Sequence, residues 1–271
     1  MIEHEAILRL SAFAGCLLIL ALAELRWPRR AVLRAGRWLN NLLMVGLNTA
    51  LLRLAMPVVL VAWAVALEQK GWGLLNWFDW PPFVEIILAV IILDMAIYWQ
   101  HRLFHQIPLL WRMHRMHHSD LDFDVTTAVR FHPAEILLSM LIKFALVTLL
   151  GAAALAVLLF EIILSSASLF EHSNLCLPAN SDRRLRWLIV TPDMHRIHHS
   201  VRPQEHNSNY GFSFSLWDRL FRSYTAAPLD GQLGMRIGLS RFRQAREQRF
   251  DQLLLQPLAS NESESRPKAY D

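Results

Sequence analysis

Eleven of the twelve histidines in this 271-residue chain fall between positions 101 and 206, with His4 alone outside that interval. They arrive in spaced sets. His101 and His105 are four positions apart, HRMHH carries His114, His117 and His118, and HRIHH repeats that pattern 81 positions later with His195, His198 and His199. Residues at i, i+3 and i+4 share one face of a helix, so each set can offer several imidazole nitrogens to one ion. Neighbouring helical residues are about 100° apart, so His117 and His118 can address two different metals. The eight imidazoles of these sets exceed the roughly four ligands of a closed single-metal site, and the expectation is two metals. Imidazole alone suits zinc, copper, iron and nickel, so the ligand type leaves the metal open. The lack of a cysteine set and the few carboxylates disfavour iron–sulfur and carboxylate-rich di-iron sites.

Further residues are candidates to join these sets. His132 precedes Pro133 at the start of a long apolar run, and His172 follows Glu171 at its end. A hairpin within that run returns both to the same mouth, where they can ligate. His206 stands apart in a loop sequence, HNSNYG. Asp94, Tyr98, His101 and His105 are spaced by 4, 3 and 4, which places all of them on one helical face. An ionisable residue inside an apolar span is a functional candidate, and Asp94 and Tyr98 enter as catalytic candidates on that ground. Two roles stand open for Asp94. It can accept the second N–H of a ligand histidine and fix its tautomer, or it can bond its helix to a neighbour.

The elements that carry these residues must be helices in a membrane. The chain is 54% hydrophobic and only 18% charged, with ten Trp, and its mean hydropathy is +0.27; soluble domains carry about 25% charged residues. The net charge of +4 and pI near 9.4 do not point to nucleic acid, because the basic residues flank apolar runs as they do on the inner face of a membrane. Cys16 and Cys176 are too few and too far apart for a disulfide framework or a zinc motif, and are read as packing residues.

A bilayer core of about 30 Å takes roughly 20 helical residues to cross. Residues 6–25, 42–67 and 83–99 qualify. The first lacks a basic start and a cleavage site, which predicts a retained helix rather than a leader. The run 134–170 is too long for one crossing, and Gly151 with the alanines after it predicts a hairpin of two short helices. Arg26, Arg29, Arg30, Arg34 and Arg37 crowd the first connection, which predicts that it is cytoplasmic. Counting crossings from there brings residues 100–132 and everything after His172 to the same face. The fold class is therefore all-α: an integral, multi-pass membrane bundle of four to five segments with a cytoplasmic histidine-rich helical cap. The organisation is membrane helices over 1–82, a di-metal catalytic domain over 83–225 and a C-terminal piece over 226–271. In that last piece Leu239, Phe242, Phe250, Leu253 and Leu254 fall near helical spacing between Arg241, Arg243 and Arg246. That pattern predicts a basic amphipathic helix, lying on anionic lipid or packed on the cap, before a polar, disordered tail.

The motifs HRLFH (101–105), HRMHHS (114–119), RFHPAE (130–135), HRIHHS (195–200) and NYGFSFSLWDRLFRSY (209–224) together resemble the fatty acid hydroxylase superfamily, also called the sterol desaturase family. The resemblance covers roughly residues 85 to 225. It implies an integral membrane enzyme with a histidine-held di-iron centre that uses O₂ to hydroxylate or desaturate a C–H bond of a lipid. It implies His101, His105, His114, His117, His118, His195, His198 and His199 as ligands, with His132 and His172 at positions where relatives also have His. The chain departs from the pattern at Arg222-Ser223, where relatives commonly have Gly-Thr, and the expectation is that this touches a surface turn. No Rossmann glycine fingerprint, haem-attachment motif or cysteine set is present, so electrons must come from a separate reductase, ferredoxin or cytochrome. The rival readings are a metal transporter and a structural zinc site without oxygenase activity. Transport would string polar ligands through the spans, where the deep positions offer Asp94.

Overall fold

The computed structural model describes residues 4–34, 36–56 and 58–260. Among the described residues every regular element is helical, and no strand forms beyond isolated bridges. Seven helices lead: α1 (Glu5–Arg26), α2 (Arg37–Ala55), α3 (Leu60–Glu68), α4 (Pro82–Gln106), α5 (Pro108–His118), α6 (Pro133–Leu150) and α7 (Ala154–Glu171). Short ones follow: α8 (Ala179–Leu185), α9 (Pro192–His198), α10 (Pro203–His206), α11 (Leu216–Leu220), α12 (Gly231–Gly234) and α13 (Phe250–Leu255). By length and composition, five stretches can cross a membrane: α1, the α2–α3 stretch Arg37–Glu68, α4, α6 and α7.

The centre of the bundle is α7, which packs against α1, α3 and α4. Its contact faces are built from small residues. Ala64, Ala89, Ala152, Ala154 and Ala156 are fully buried among Leu93, Val157 and Phe160. Lipid tails are as apolar as leucine, so helices associate in a bilayer by close van der Waals approach, which alanine permits. The expected hairpin is present. Gly151 ends α6 in the left-handed conformation at φ +64, and Gly73 from the α3–α4 connection lies on top of it. A Cβ on Gly73 would sit 2.2 Å from the Gly151 nitrogen, so both positions must lack side chains. Asn76 locks the contact by donating to the carbonyls of Trp72 and Gly151, each at 2.9 Å.

At the opposite end of the bundle the connections gather around the histidines. Glu24, at the end of α1, accepts from the amides of Val125 (2.8 Å) and Asn174 (2.5 Å). Arg37 opens α2 by meeting Asp120 (2.6 Å) and Asp124 (2.7 Å). Pro108 breaks α4 from α5 because the residue before a proline is driven extended, and Ile107 has ψ 117. His101 and His105 on α4 and the triplet on α5 are thereby turned onto one another.

Two expectations are refined. The second span is present as the stretch Arg37–Glu68, but it is built of two helices: α2 stops at Ala55 and α3 starts at Leu60. The polar residues of α2 explain where its first half goes. Asn41 donates to Thr126 (3.0 Å) and Asn48 to the Phe131 carbonyl (2.8 Å), so this half packs into the cap. The C-terminal segment is not a single amphipathic helix either. A 3-10 turn over Ala245–Gln248, α13 and a second turn over Gln256–Leu258 replace it, and Phe242 has φ 57. Of the two placements open for the apolar stripe, the structure shows packing on the protein: Leu239, Phe242 and Leu253 are buried, Leu253 joining Met44 and Met116, and Phe250 and Leu254 are half-buried against them. Arg243 is spent on the carbonyls of Ile237 (3.0 Å) and Leu239 (2.9 Å). Most of the expected disordered tail, residues 261–271, lies outside the described residues.

Asp120 is fully buried. Burial works against its charge, but Arg37 and Arg130 overcome that cost and hold the carboxyl well below its usual range. Asp120→Ala removes two of the charged contacts of Arg37 and leaves it Asp124, and thermal unfolding in detergent should show a loss of about 1–3 kcal/mol. An unchanged unfolding transition would mean that the Arg37–Asp120 pair does not hold α2 in the cap.

Candidate metal centre

Nine histidines converge in two adjoining groups. His101, His105, His114, His118 and His198 form one, and His117, His172, His195 and His199 form the other; within each group the candidate ligand atoms lie within 4.8 Å of one another. The two repeated triplets contribute in complementary fashion. HRMHH gives its i, i+4 pair, His114 and His118, to the group of five and its remaining His117 to the group of four. HRIHH gives His195 and His199 to the group of four and His198 to the group of five. The groups touch through the rings of His118 and His199, whose centroids are 4.5 Å apart.

Hydrogen bonds fix which ring nitrogen faces inward. His101 Nδ1 meets the Tyr210 carbonyl (2.9 Å), His198 Nδ1 that of Ser208 (2.7 Å), His117 Nδ1 that of Arg130 (3.2 Å) and His172 Nδ1 that of Ser168 (2.8 Å). A carbonyl only accepts, so each Nδ1 carries the proton and each Nε2 a lone pair. His114 Nδ1 likewise donates to Glu135 (2.7 Å). In both groups two such lone pairs then point at each other. The Nε2 atoms of His101 and His198 are 3.0 Å apart, and those of His117 and His172 are 3.1 Å apart. No hydrogen bond can bridge two acceptors. That spacing suits two ligand atoms on one cation at a metal–nitrogen length of about 2.0–2.1 Å, so the donor set fits a metal in each group.

Burial opposes the charged form of the imidazoles outside the spans. Desolvation, reinforced by neighbouring imidazoles, pushes His117, His118, His195, His198 and His199 well below their ordinary value. Burial also carries His172 down to about 3. Aromatic side chains close the shell against water. Phe131 stacks on His117 at 4.4 Å, Trp111 lies 4.9 Å from His105, and Phe123 lies 5.0 Å from His199.

The NYG…WDRLF motif aims one of these carbonyls. Asp218 on α11 accepts from the amides of Tyr210 and Gly211, both at 2.8 Å, and from the Ser223 hydroxyl at 2.7 Å. That bracket presents the Tyr210 carbonyl to His101. Of the two roles open for Asp94, the structure shows bonds from its helix to a neighbouring element. Its carboxylate accepts from Trp217 Nε1 (2.8 Å) and the Phe214 amide (3.4 Å) and from no histidine. Tyr98 bonds Ser223 (2.8 Å) and accepts from Arg102 (3.1 Å). Both side chains clamp the motif to α4, and neither stands in the two histidine groups. Ser223 also shows that the Arg222-Ser223 departure reaches inward, while Arg222 takes the turn itself at φ 57.

His132 stands apart from both groups. It caps α6, its Nδ1 accepting from the Ala134 amide (3.1 Å) and its Nε2 meeting the Leu254 carbonyl (3.2 Å), and it belongs to neither group. His206 borders the group of five without joining it, stacked on Trp111 at 5.6 Å, and burial pushes it down to about 4. Several contributors were not singled out from sequence. Glu135 supports His114, and Glu171 lies fully buried between His172 (3.5 Å) and His195 (3.7 Å). Their signal was a carboxylate next to a histidine at the edge of an apolar run. The arginine in each triplet was also passed over. Arg115 donates to the carbonyls of Gln256 (2.6 Å) and Ala259 (2.7 Å), and Arg196 to Asp193 (2.5 Å).

These placements separate two variants. His132→Ala should keep full metal loading and cost only the cap, about 1 kcal/mol. Glu135→Ala should weaken metal affinity by about 10- to 100-fold through loss of the His114 orientation. Metal titration of both purified variants checks this, and a reversed order would put His132 back among the ligands.

Residues 86–223, which include every clustered histidine, match the family model described as Fatty acid hydroxylase. The chain is 31% identical over 153 residues to ornithine lipid hydroxylase OlsE of Rhizobium tropici, a match covering 56% of this chain and 45% of that protein. It is 28% identical over 149 residues to the alkylglycerol monooxygenase of Xenopus tropicalis, covering 55% of this chain and 30% of that protein. It is 27% identical over 181 residues to fatty acid hydroxylase vlmA of Lecanicillium sp, covering 60% and 48%. The chain thus spans less than half the length of these relatives. No solved structure shows a significant match to it. With more than half of the chain matched, and the nine converging histidines inside that match, the chain belongs to the fatty acid hydroxylase family.

Proposed function

We propose that the chain is a membrane-bound non-haem di-iron oxygenase that hydroxylates a C–H bond of a lipid, using O₂ and external electrons. The observation that carries this reading is the pair of opposed Nε2 lone pairs in each histidine group, at 3.0 and 3.1 Å. His101, His105, His114, His118 and His198 would hold one ion, and His117, His172, His195 and His199 the other. Two adjoining redox metals supply, when bound, the electron transfer that lets one oxygen atom of O₂ enter a C–H bond while the other leaves as water. Hydroxylation is favoured over desaturation by the relatives, which are named as hydroxylases and monooxygenases.

The chain's own part is orientation and exclusion of water. The carbonyls of Tyr210, Ser208, Arg130 and Ser168 hold the imidazole tautomers, and Phe131, Trp111 and Phe123 wall the rings. The electrons and protons come from a separate donor, a reductase, ferredoxin or cytochrome. A cytoplasmic histidine face is supported by Arg26, Arg29, Arg30, Arg34 and Arg37, which crowd the connection at that end of the bundle.

Protein purified without oxygen should hold two irons per chain and change spectrum when O₂ is admitted. Lipid mass spectrometry of cells with and without the gene should show products heavier by one oxygen. His117→Ala and His198→Ala, one from each group, should each abolish the product and lower bound iron. A single zinc per chain, indifferent to O₂, would overturn the proposal.

A further inference from the structure

The α6–α7 hairpin plants one buried carboxylate at each of its feet. Glu135 lies in the first turn of α6, and Glu171 is the last residue of α7. Glu135 serves the group of five, where its Oε1 accepts from His114 Nδ1 at 2.7 Å. Glu171 stands behind the group of four, with Oε1 3.5 Å from His172 Nδ1 and Oε2 3.7 Å from His195 Nδ1. It is fully buried, and neither of its oxygens has a hydrogen-bond partner. Other buried acids of the cap are matched by arginine, as Asp120 is by Arg37 and Asp193 by Arg196. Among the described residues the ion-pair neighbours of Glu171 are imidazoles alone. A buried carboxylate without a counter-charge or a hydrogen bond is costly, so this placement is unfavourable until something completes it.

The two histidines beside it differ in what they can still give. His172 has committed its Nδ1–H to the Ser168 carbonyl at 2.8 Å. His195 has not. Its Nδ1 is buried without a partner, while its Nε2 lies 3.1 Å from that of His172, inside the group. A neutral imidazole that turns an Nε2 lone pair to an ion carries its proton on Nδ1, and that buried N–H requires an acceptor. Glu171 Oε2 is opposite it. An approach of about 1 Å converts the contact into a charge-assisted hydrogen bond of about 2.7–2.9 Å. The two triplets then agree position by position. The first histidine of each, His114 or His195, is backed by a carboxylate. The next, His117 or His198, is backed by a main-chain carbonyl, that of Arg130 or Ser208.

We infer that Glu171 is the positioning residue of the group of four, taking the Nδ1–H of His195 when that group holds its ion, as Glu135 takes that of His114 in the other group. The inference rests on the two-metal reading above and ties binding at the second ion to the α7 foot of the hairpin. A carboxylate behind an imidazole makes the ring a stronger donor, and a stronger donor favours the more oxidised ion. In the metal-free chain the same carboxylate is unmatched. Glu171 should therefore weaken the empty fold and strengthen ion binding, two effects of opposite sign.

The test titrates the purified, metal-free full chain in detergent with Co²⁺, read by d–d absorption, and compares thermal unfolding of the metal-free samples. Glu171→Leu should weaken one of the two ions about 10- to 100-fold and leave the metal-free chain as stable as the wild type or more so. Glu135→Leu should weaken the other ion, and the double variant both. Glu171→Gln keeps an acceptor oxygen without the charge, so it should recover part of the Co²⁺ affinity. In iron-loaded Glu171→Gln the midpoint potential of one iron should rise. Wild-type affinity for both ions in Glu171→Leu would overturn the inference. So would a lower unfolding temperature of metal-free Glu171→Leu, which would make Glu171 a packing residue, or weakening of the same ion by the Glu171 and Glu135 variants. A wild type that takes up a single ion would defeat the two-metal reading instead, and the affinity of Glu171→Leu for that ion would still decide whether Glu171 supports it.

Discussion

Opposed lone pairs at 3.0 and 3.1 Å are the interaction on which the rest of this structure depends. Such a contact repels unless a cation lies between the nitrogens, and the surrounding protein must hold it in place while folding completes. It does so by committing the other nitrogen of each ring. Four of the nine clustered imidazoles donate Nδ1–H to a main-chain carbonyl and a fifth donates to Glu135. A main-chain acceptor cannot change protonation state or rotamer. The tautomers are therefore set by backbone path, and the backbone path by the clamps behind it. Asp218 brackets Tyr210 and Gly211, and Asp94 holds Trp217, so a carboxylate inside a membrane helix contributes to the aim of His101 without touching it.

The duplicated HRxHH pattern follows from the same constraint. A helix can point i and i+4 at one centre but must send i+3 elsewhere when two centres lie side by side. With one triplet, one centre would receive two imidazoles and the other a single one. A second triplet in the opposite sense balances them, and His101, His105 and His172 complete the two groups. The residue directly after the first histidine of each triplet faces away from the histidine groups. In both copies it is an arginine, and both are fully buried. A buried guanidinium requires acceptors, and these lie on elements remote in sequence. Arg115 reaches the carbonyls of Gln256 and Ala259. Arg196 reaches Asp193 and Gln232.

How much of this could be read beforehand depended on the range of the interaction. The helical spans and the turn at Gly151 were legible because apolar periodicity and a glycine stop are local. The division of His117 from His118 was legible because adjacent helical residues diverge by about 100°. His132 looked like a ligand because its type and neighbourhood matched the others; its Nε2 is taken by the carbonyl of Leu254, a contact 122 residues away. Asp94 had two readings that no local pattern could separate, since its partner Trp217 is 123 residues distant. The four main-chain acceptors were invisible for a different reason: any residue type supplies a carbonyl, so Ser168, Ser208, Arg130 and Tyr210 leave no mark in composition. The C-terminal stripe left two placements open because the same apolar spacing serves a lipid surface and a protein groove. Leu253 buried against Met44 and Met116 is the second case.

Those distant contacts bear on what the matched segment 86–223 can do alone. Asp120 and Asp124 are inside it, but their arginine is Arg37 on α2. Arg130 is inside it, but it bonds Asn41 on α2 and Gln248 near the C-terminus. The amides of Val125 and Asn174 find their acceptor in Glu24 on α1. Each of these groups is buried in the whole chain, and removal of the flanking elements would leave it without its partner at a cost of about 1–3 kcal/mol for a neutral group and more for a charge. The flanking helices are thus structural members of the centre. The charged side chains that mark the Arg26–Arg37 connection are partly committed too, with Arg29 on Asp193 and Arg37 on Asp120. The same arginines that argue for a cytoplasmic face by their sign also close the cap by their hydrogen bonds, so their number reflects two constraints acting at one end of the bundle.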